Sequence, residues 1–223
     1  MKDTDTYRVN WQTLRKDWPL WVLLLGTFLL GIYLAPQLPE QVPTHWNFRG
    51  EVDGYGNRAT AVYLQPLIAV SMYLLMVFLP LIDPRRANYT RFAGTYQHLK
   101  TILVLFFCGF QLTILAAGLG YLAGPDIFLR VGLPLLFIFL GNVMGQIKHN
   151  YFVGIKTPWA LANEEVWRGT HRAAGRLWVL CGLAGLVAAF MPATIGRIIL
   201  IIALFAAGIV PFVHSYLLWR HLN

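Results

Sequence analysis

Six apolar runs, each near the length a bilayer's hydrocarbon core demands of a helix, constrain this chain most: 20–35, 62–82, 101–123, 127–147, 177–191 and 195–218. In lipid, a spanning segment must satisfy its backbone hydrogen bonds internally. A helix does so, and the alternating pattern of barrel strands is absent. The first run is short, and the amphipathic rings of Trp18, Trp21 and Tyr33 suit it as interfacial anchors. The fifth is also short and is expected to reach back through 173–176. Composition agrees: 57% of residues are hydrophobic and 13% charged, where a soluble domain carries about a quarter charged. The expectation is an all-α membrane protein with six transmembrane helices. Region 1–100 would hold helices one and two with a structured outer loop, and region 101–223 helices three to six with a long inner loop.

A net charge of +8 raises the question of nucleic acid, but the placement of the charge answers it. Alternate sides of the six runs carry 14 and 4 Lys and Arg residues. The positive-inside bias puts both termini and the segments 83–100 and 148–176 in the cytoplasm, and 38–58 outside. The basic excess is therefore topological, and no direct nucleic-acid partner is expected. The N-terminal segment mixes Asp with Lys and Arg, and no small-residue cleavage pattern follows the first run, so it reads as an uncleaved signal anchor. Cys108 and Cys181 both fall inside runs, away from an oxidising loop, and no disulfide is expected.

The outer segment, LPEQVPTHWNFRGEVDGYGNR at 38–58, is rich in Pro and Gly around His45, Trp46, Asn47, Asp53 and Tyr55. Asp53-Gly54 is a turn dipeptide, and Gly50 and Gly56 permit positive φ. Two short extended pieces joined by a turn are expected, with Trp46, Phe48 and Tyr55 at headgroup level. Three readings stay open: a ligand-recognition face, a structural lid, or a metal site from Glu40, His45, Glu51 and Asp53. Zinc usually asks for more than one His or Cys, which argues against the metal.

The inner segment holds the densest charged and amide group, KHNYFVGIKTPWALANEEVWRGTHRAAGR at 148–176. Thr157-Pro158 has the form of an N-cap followed by Pro in the first helical position, opening a short interfacial helix anchored by Trp159. Asn163 is placed to cap a second helix, with Glu164 and Glu165 in the turn where the helix dipole favours them. On that helix Glu164, Trp167 or Arg168, His171 and Gly175 share one face. A Glu–His face serves acid–base chemistry, a metal, or a hydrogen-bonded lock. The absence of a second His at metal spacing favours the lock, so no catalytic residue and no metal is assigned. Gly154 permits a tight turn before Ile155-Lys156. Within the runs, Gln65, Gln111, Asn142, Gln146 and His214 are the polar residues, expected to bond across helices. No Asp, Glu or Lys lies deep in a run, which argues against ion-coupled transport. Gly182, Gly185 and Ala189 form a small-residue face for close packing.

The inner segment resembles the signature of the SdpI family of bacterial membrane proteins. The resemblance rests on Gly154, Ile155, Lys156, Thr157, Pro158, Trp159, Leu161, Asn163, Val166, Trp167, Thr170, His171, Arg172 and Gly175, with Gly141-Asn142 and Asn150 upstream. Lys156 stands where Arg is common. The outer segment resembles a companion domain of unknown function at Pro39, Pro43, His45, Trp46, Asn47, Gly50, Asp53, Gly54 and Tyr55.

The resemblance implies a multi-pass protein of the bacterial cytoplasmic membrane that protects its cell from a secreted membrane-active peptide toxin. It further implies a possible relay to a cytoplasmic transcriptional repressor. The toxin-facing residues would then be His45, Trp46, Asn47, Asp53 and Tyr55. The cytoplasmic set would be Asn142, Asn150, Lys156, Thr157, Pro158, Trp159, Asn163, Glu164, Trp167, Thr170, His171 and Arg172. No cofactor is implied. The alternative is a membrane-embedded enzyme or small-solute carrier using His171, Glu164 and Asn142, which would require those three side chains to converge on one polar cavity.

Overall fold

The computed structural model describes residues 7–47, 52–122 and 128–222, less the side chains of Gln12, Trp46 and Leu129. It is mostly helical. In chain order come α1 (Trp11–Arg15), α2 (Trp18–Leu34), the strands β1 (Gln41–Trp46) and β2 (Val52–Asn57), α3 (Arg58–Ile82), α4 (Ala93–Gly118), α5 (Leu133–Met144), α6 (Pro158–Ala162), α7 (Glu164–Ala188) and α8 (Ala193–Leu222). A 3-10 stretch, Arg86–Phe92, precedes α4, and a single π turn, Phe128–Gly132, precedes α5.

Among the described residues, four helical segments are long and apolar enough to cross a membrane: Trp18–Gln37, Arg58–Ile82, Arg86–Gly118 and Ala193–Leu222. A shorter apolar helix covers Arg130–Met144. The protein is thus a helical membrane protein. α7 has 25 residues, but its first turns carry Glu164, Glu165, Arg168, His171, Arg172 and Arg176, so only its later half is apolar.

Helix boundaries depart from the apolar runs where polar residues continue a helix. α3 starts at Arg58, four residues before the run, because Asn57 Oδ1 accepts the Thr60 amide at 2.8 Å as a cap. α4 starts at Ala93 rather than 101; the Tyr96 hydroxyl donates to Met76 O at 2.6 Å and secures its polar first turns. Ala123 and Ile127, expected at ends of the third and fourth runs, lie outside the described residues.

The chain forms two compact units. One comprises Met1–Val9, Met76–Ile102 and Pro134–Asn223; the other comprises Asn10–Leu75 and Leu103–Leu133. In the second unit β1 and β2 pair antiparallel, with Val42 opposite Gly56 and Pro43 opposite Tyr55. Leu38 and Val42 are fully buried against Ala61 and Val62 of α3 and Ile114 and Leu115 of α4. That cluster roots the hairpin on the helix ends. Trp21 Nε1 donates to the Tyr73 hydroxyl at 2.6 Å, which donates in turn to buried Asp17 at 3.1 Å. The expected interfacial anchor is thus also a tie from α2 to α3. Gln111 Nε2 donates to Ala61 O at 3.2 Å, a bond across helices of the expected kind.

The hairpin corrects one expectation. Asp53-Gly54 is not a turn: both residues lie in β2, with Gly54 opposite His45 across a bulge. Glycine is needed there for close approach, since a Cβ on Gly54 would lie 2.7 Å from His45 Cβ. Gly56 likewise has no positive φ and faces Thr44 and Thr60 closely. Gly50 and Phe48 lie outside the described residues.

In the first unit α7 and α8 are joined by Trp178 Nε1 donating to Ala207 O at 2.9 Å. The small-residue face of α7 meets α5: a Cβ on Gly182 would come within 2.6 Å of Pro134 O. Asn142 differs from the expected cross-helix amides: it is exposed, and its Nδ2 donates to Ile138 O of its own helix. Gln146, also exposed, does bond across, accepting from Thr95 Oγ1 of α4 at 2.9 Å.

Candidate functional site

The segment between α5 and α7 is held by a buried polar network around Asn150. Its carboxamide oxygen accepts the amides of Phe152 (2.9 Å) and Val153 (2.7 Å), and its nitrogen donates to Lys148 O and Val153 O. An amide side chain with two donors and an acceptor can close a turn on both sides, which a carboxylate cannot. The Tyr89 hydroxyl lies 3.3 Å from Asn150 Oδ1 and 2.9 Å from Asp83 Oδ2. Asp83, at the end of α3, also accepts the amides of Arg85 and Tyr151. Each of these three polar side chains is at most 3% exposed. Arg85 sits over the Tyr151 ring at 5.0 Å.

The helices that follow start where the sequence indicates. Thr157 Oγ1 accepts the Ala160 amide at 3.1 Å and opens α6. Asn163 Oδ1 accepts the amides of Glu165 and Val166 and opens α7. From α7, Trp167 is fully buried, donates Nε1 to Ile147 O at 2.9 Å, and stacks with two imidazoles. His171 stacks on it at 4.0 Å and 22°, His149 at 4.9 Å and 28°.

Both ring nitrogens of His171 are used. Nε2 accepts the Ile155 amide at 3.0 Å, so Nδ1 carries the proton and donates to Trp167 O at 2.8 Å. Burial pushes the His171 pKa down to about 4. His149 Nε2 donates to Leu161 O at 3.1 Å, and burial together with nearby Arg85 holds this imidazole below its ordinary value as well. The expected tight turn is present at Gly154, with φ of +113°, and a Cβ there would overlap His171 Nε2. The segment is thus stitched to α7 through neutral imidazoles.

Two recesses flank this lock. A cavity of about 380 Å³ is lined by Arg85, Ala87, Asn88, His149, Ala162 and Glu164. A groove at the α5–α7 crossing is lined in part by Asn142, Gly145, Arg172 and Arg176. On the hairpin, His45 Nδ1 bonds Asp53 Oδ1 at 2.5 Å on an open face, and Tyr55 is 61% exposed.

The hairpin and the segment around Asn150 and His171 fall in two matched sequence regions, whereas Asp83 and Tyr89 lie in neither. Residues 146–215 match the SdpI/YfhL protein family, and residues 22–70 match a domain of unknown function, DUF1648. The Immunity protein SdpI of Bacillus subtilis (strain 168) is 27% identical over 209 residues, covering 91% of this chain and 95% of that protein. No solved structure matches the chain. With its long apolar helices, the chain is a multi-pass protein of the bacterial cytoplasmic membrane.

The structure separates the signature residues by depth. Asn150, Thr157, Trp167, Thr170 and His171 are buried, whereas Lys156, Pro158, Glu164 and Arg172 are exposed. Lys156 Nζ donates to Phe152 O at 2.9 Å. Trp159 is half-buried and packs on Phe212 and Tyr216 of α8, so its ring is held by a helix. Glu164 and His171 share a face by spacing but not by environment: Glu164 stands at the open start of α7, His171 a full two turns into the packed part. Nor do the three residues of the enzyme or carrier alternative converge. Glu164 lines the small cavity, Asn142 lines the groove, and His171 lines neither. On the hairpin, His45 and Asp53 come together, Asn47 is half-buried, and the Trp46 side chain and Glu51 lie outside the described residues.

Sequence reasoning missed Asp83, Tyr89 and His149. Asp83-Pro84 at the close of an apolar run was a visible signal, because a carboxylate there can bind the next free amides. His149 adjoins Asn150 in sequence, but only the folded loop brings it onto Trp167.

Proposed function

We propose that the chain belongs to the SdpI/YfhL family and is an immunity protein, protecting its cell from a secreted membrane-active peptide toxin. The observation that carries the reading is the similarity to the Immunity protein SdpI along 91% of the chain. The proposal includes six spans, with α5 and α7 completing the four long helices, both termini in the cytoplasm, the hairpin outside and the 148–176 segment inside. The 14 to 4 division of Lys and Arg supports that arrangement. The division of the chain near residue 100 is kept as a division of sequence regions, since the two matched regions, 22–70 and 146–215, fall on either side.

In this reading the hairpin meets the toxin. Tyr55 offers an exposed aromatic ring, and the His45–Asp53 pair offers a carboxylate on an open face; aromatic anchors and charge suit a cationic or apolar peptide. Trp46 and Asn47 belong to the same proposed face. On the inner side, Lys156, Arg172 and the flank of Trp159 would present a basic surface to a soluble partner such as a repressor. Trp167, Thr170 and His171 would act through the fold, because they have no exposed surface.

The test is survival of toxin-sensitive cells expressing wild type, Tyr55→Ala or Asp53→Asn, with membrane level measured in the same cultures. The exposed His45–Asp53 pair contributes under about 1 kcal/mol, so Asp53→Asn should leave the fold intact. Loss of survival at normal membrane level supports the hairpin's role. Full survival in both variants would remove the hairpin from the mechanism, and failure of wild type to protect would remove the immunity reading itself.

A further inference from the structure

The groove beside the α5–α7 crossing has the polarity of a lipid. Its base is glycine: a Cβ on Gly141 would lie 2.8 Å from Gly175 O, and one on Gly175 would lie 2.7 Å from Gly141 O. The two backbones touch there, and the absence of side chains leaves a recess of about 490 Å³. Arg172 and Arg176, one turn apart on α7, line one end. Val179 and Leu180 continue the wall one turn further on, and Leu180 is 63% exposed. Along one path the wall thus passes from two guanidinium groups to aliphatic side chains, at the point where α7 turns from polar to apolar. Among the described residues, no carboxylate pairs with either arginine.

We propose that this groove seats one anionic phospholipid, its phosphate on Arg172 and Arg176 and an acyl chain along Val179 and Leu180. Two cations lacking a counter-charge at the edge of an apolar wall complement a phosphodiester joined to a hydrocarbon chain. Basic recesses between spanning helices are suited to acidic headgroups. A free anion would meet the arginines but leave the apolar half of the groove empty. The proposal gives Arg172 to the lipid and leaves Lys156 and Trp159 to the soluble partner; it needs neither that partner nor a toxin, so it stands or falls apart from the immunity reading.

Gly145 supplies a clean probe. It borders the groove, and a Cβ on it would meet only Arg172, at 3.5 Å or more, which is ordinary contact. Gly145→Leu therefore fills the recess while both charges stay. The experiment uses the purified full chain in detergent with added phosphatidylglycerol or phosphatidylcholine, and retained lipid is counted by native mass spectrometry. Wild type should keep one phosphatidylglycerol. Arg172→Gln and Arg176→Gln should each weaken its retention about five-fold. Gly145→Leu should also weaken it, and Arg220→Gln, on α8, should not. Equal phosphatidylglycerol retention in wild type and both arginine variants would overturn the site. So would phosphatidylcholine retained as strongly as phosphatidylglycerol, or inorganic phosphate raising the melting temperature as much as the lipid does.

Discussion

His171 Nε2 accepts the amide proton of Ile155 at 3.0 Å, sixteen positions upstream in sequence. The bond requires a neutral ring with its proton on Nδ1, where Trp167 O receives it. Protonation would set an N–H against an N–H.

The first prediction is a pH dependence of this lock. The His171 pKa is lowered to about 4 from 6.5, so in this range the unfolded loop binds a proton that the folded loop does not. The stabilisation is fully present above about 6.5 and is lost as pH falls towards 4, with a total near 3 kcal/mol. His149, across the Trp167 ring, is shifted in the same direction and acts with the same sign. Hydrogen exchange of the 152–156 amides should accelerate beyond the intrinsic pH effect between pH 6.5 and 4.5. Unchanged protection factors would contradict the role given to the neutral ring.

Gly154→Ala should be among the more damaging single-methyl changes. It places a side chain at φ +113° and drives its Cβ into His171 Nε2. The expected cost is about 3 kcal/mol, read as a lower melting temperature and lower membrane level. A melting temperature equal to wild type would show that the loop can leave α7 freely.

Asn150→Asp should destabilise nearly as much as Asn150→Ala. The aspartate keeps an acceptor for Phe152 and Val153 but loses both donors and brings a buried charge near Asp83. A loss of about 2–4 kcal/mol is expected for either, measured by thermal unfolding of the purified protein.

Gly141→Ala and Gly175→Ala should each cost about 1–3 kcal/mol, because each added carbon meets a carbonyl oxygen inside 3 Å. Gly145→Ala, one turn along from Gly141, should cost less than about 1 kcal/mol. Equal melting temperatures for all three would mean that the α5–α7 crossing is looser than the structure gives.

Topology is checked by cysteine labelling. In a background lacking Cys108 and Cys181, Asn47→Cys should react with an impermeant thiol reagent from outside intact cells. Arg168→Cys should react only after permeabilisation. Labelling of Arg168→Cys in intact cells would invert the assignment of sides.

Much of the local structure was legible in the residues. Thr157-Pro158 and Asn163 act on amides two or three positions away, so sequence neighbours suffice to read both caps. Gly154 was legible as a turn for the same reason. The Asp53-Gly54 dipeptide misled, because the same small residue that permits a turn also permits a tight cross-strand approach, and only the partner strand distinguishes the two. The start of α4 misled because hydropathy marks where lipid begins, not where a helix begins.

By itself, the sequence determined that this chain builds helices in a membrane, since long apolar segments in lipid have no other way to pair their backbone groups. It also determined where α6 and α7 start, through short-range caps. The tertiary structure decided which polar residues are buried and what each then does. His149 from a loop and His171 from α7 both stack on Trp167, and Asn150 meets Tyr89, 61 positions away in the chain and itself bonded to Asp83. The reason is physical: a buried polar group must find a partner wherever the fold supplies one, and spacing along the chain carries no record of that choice.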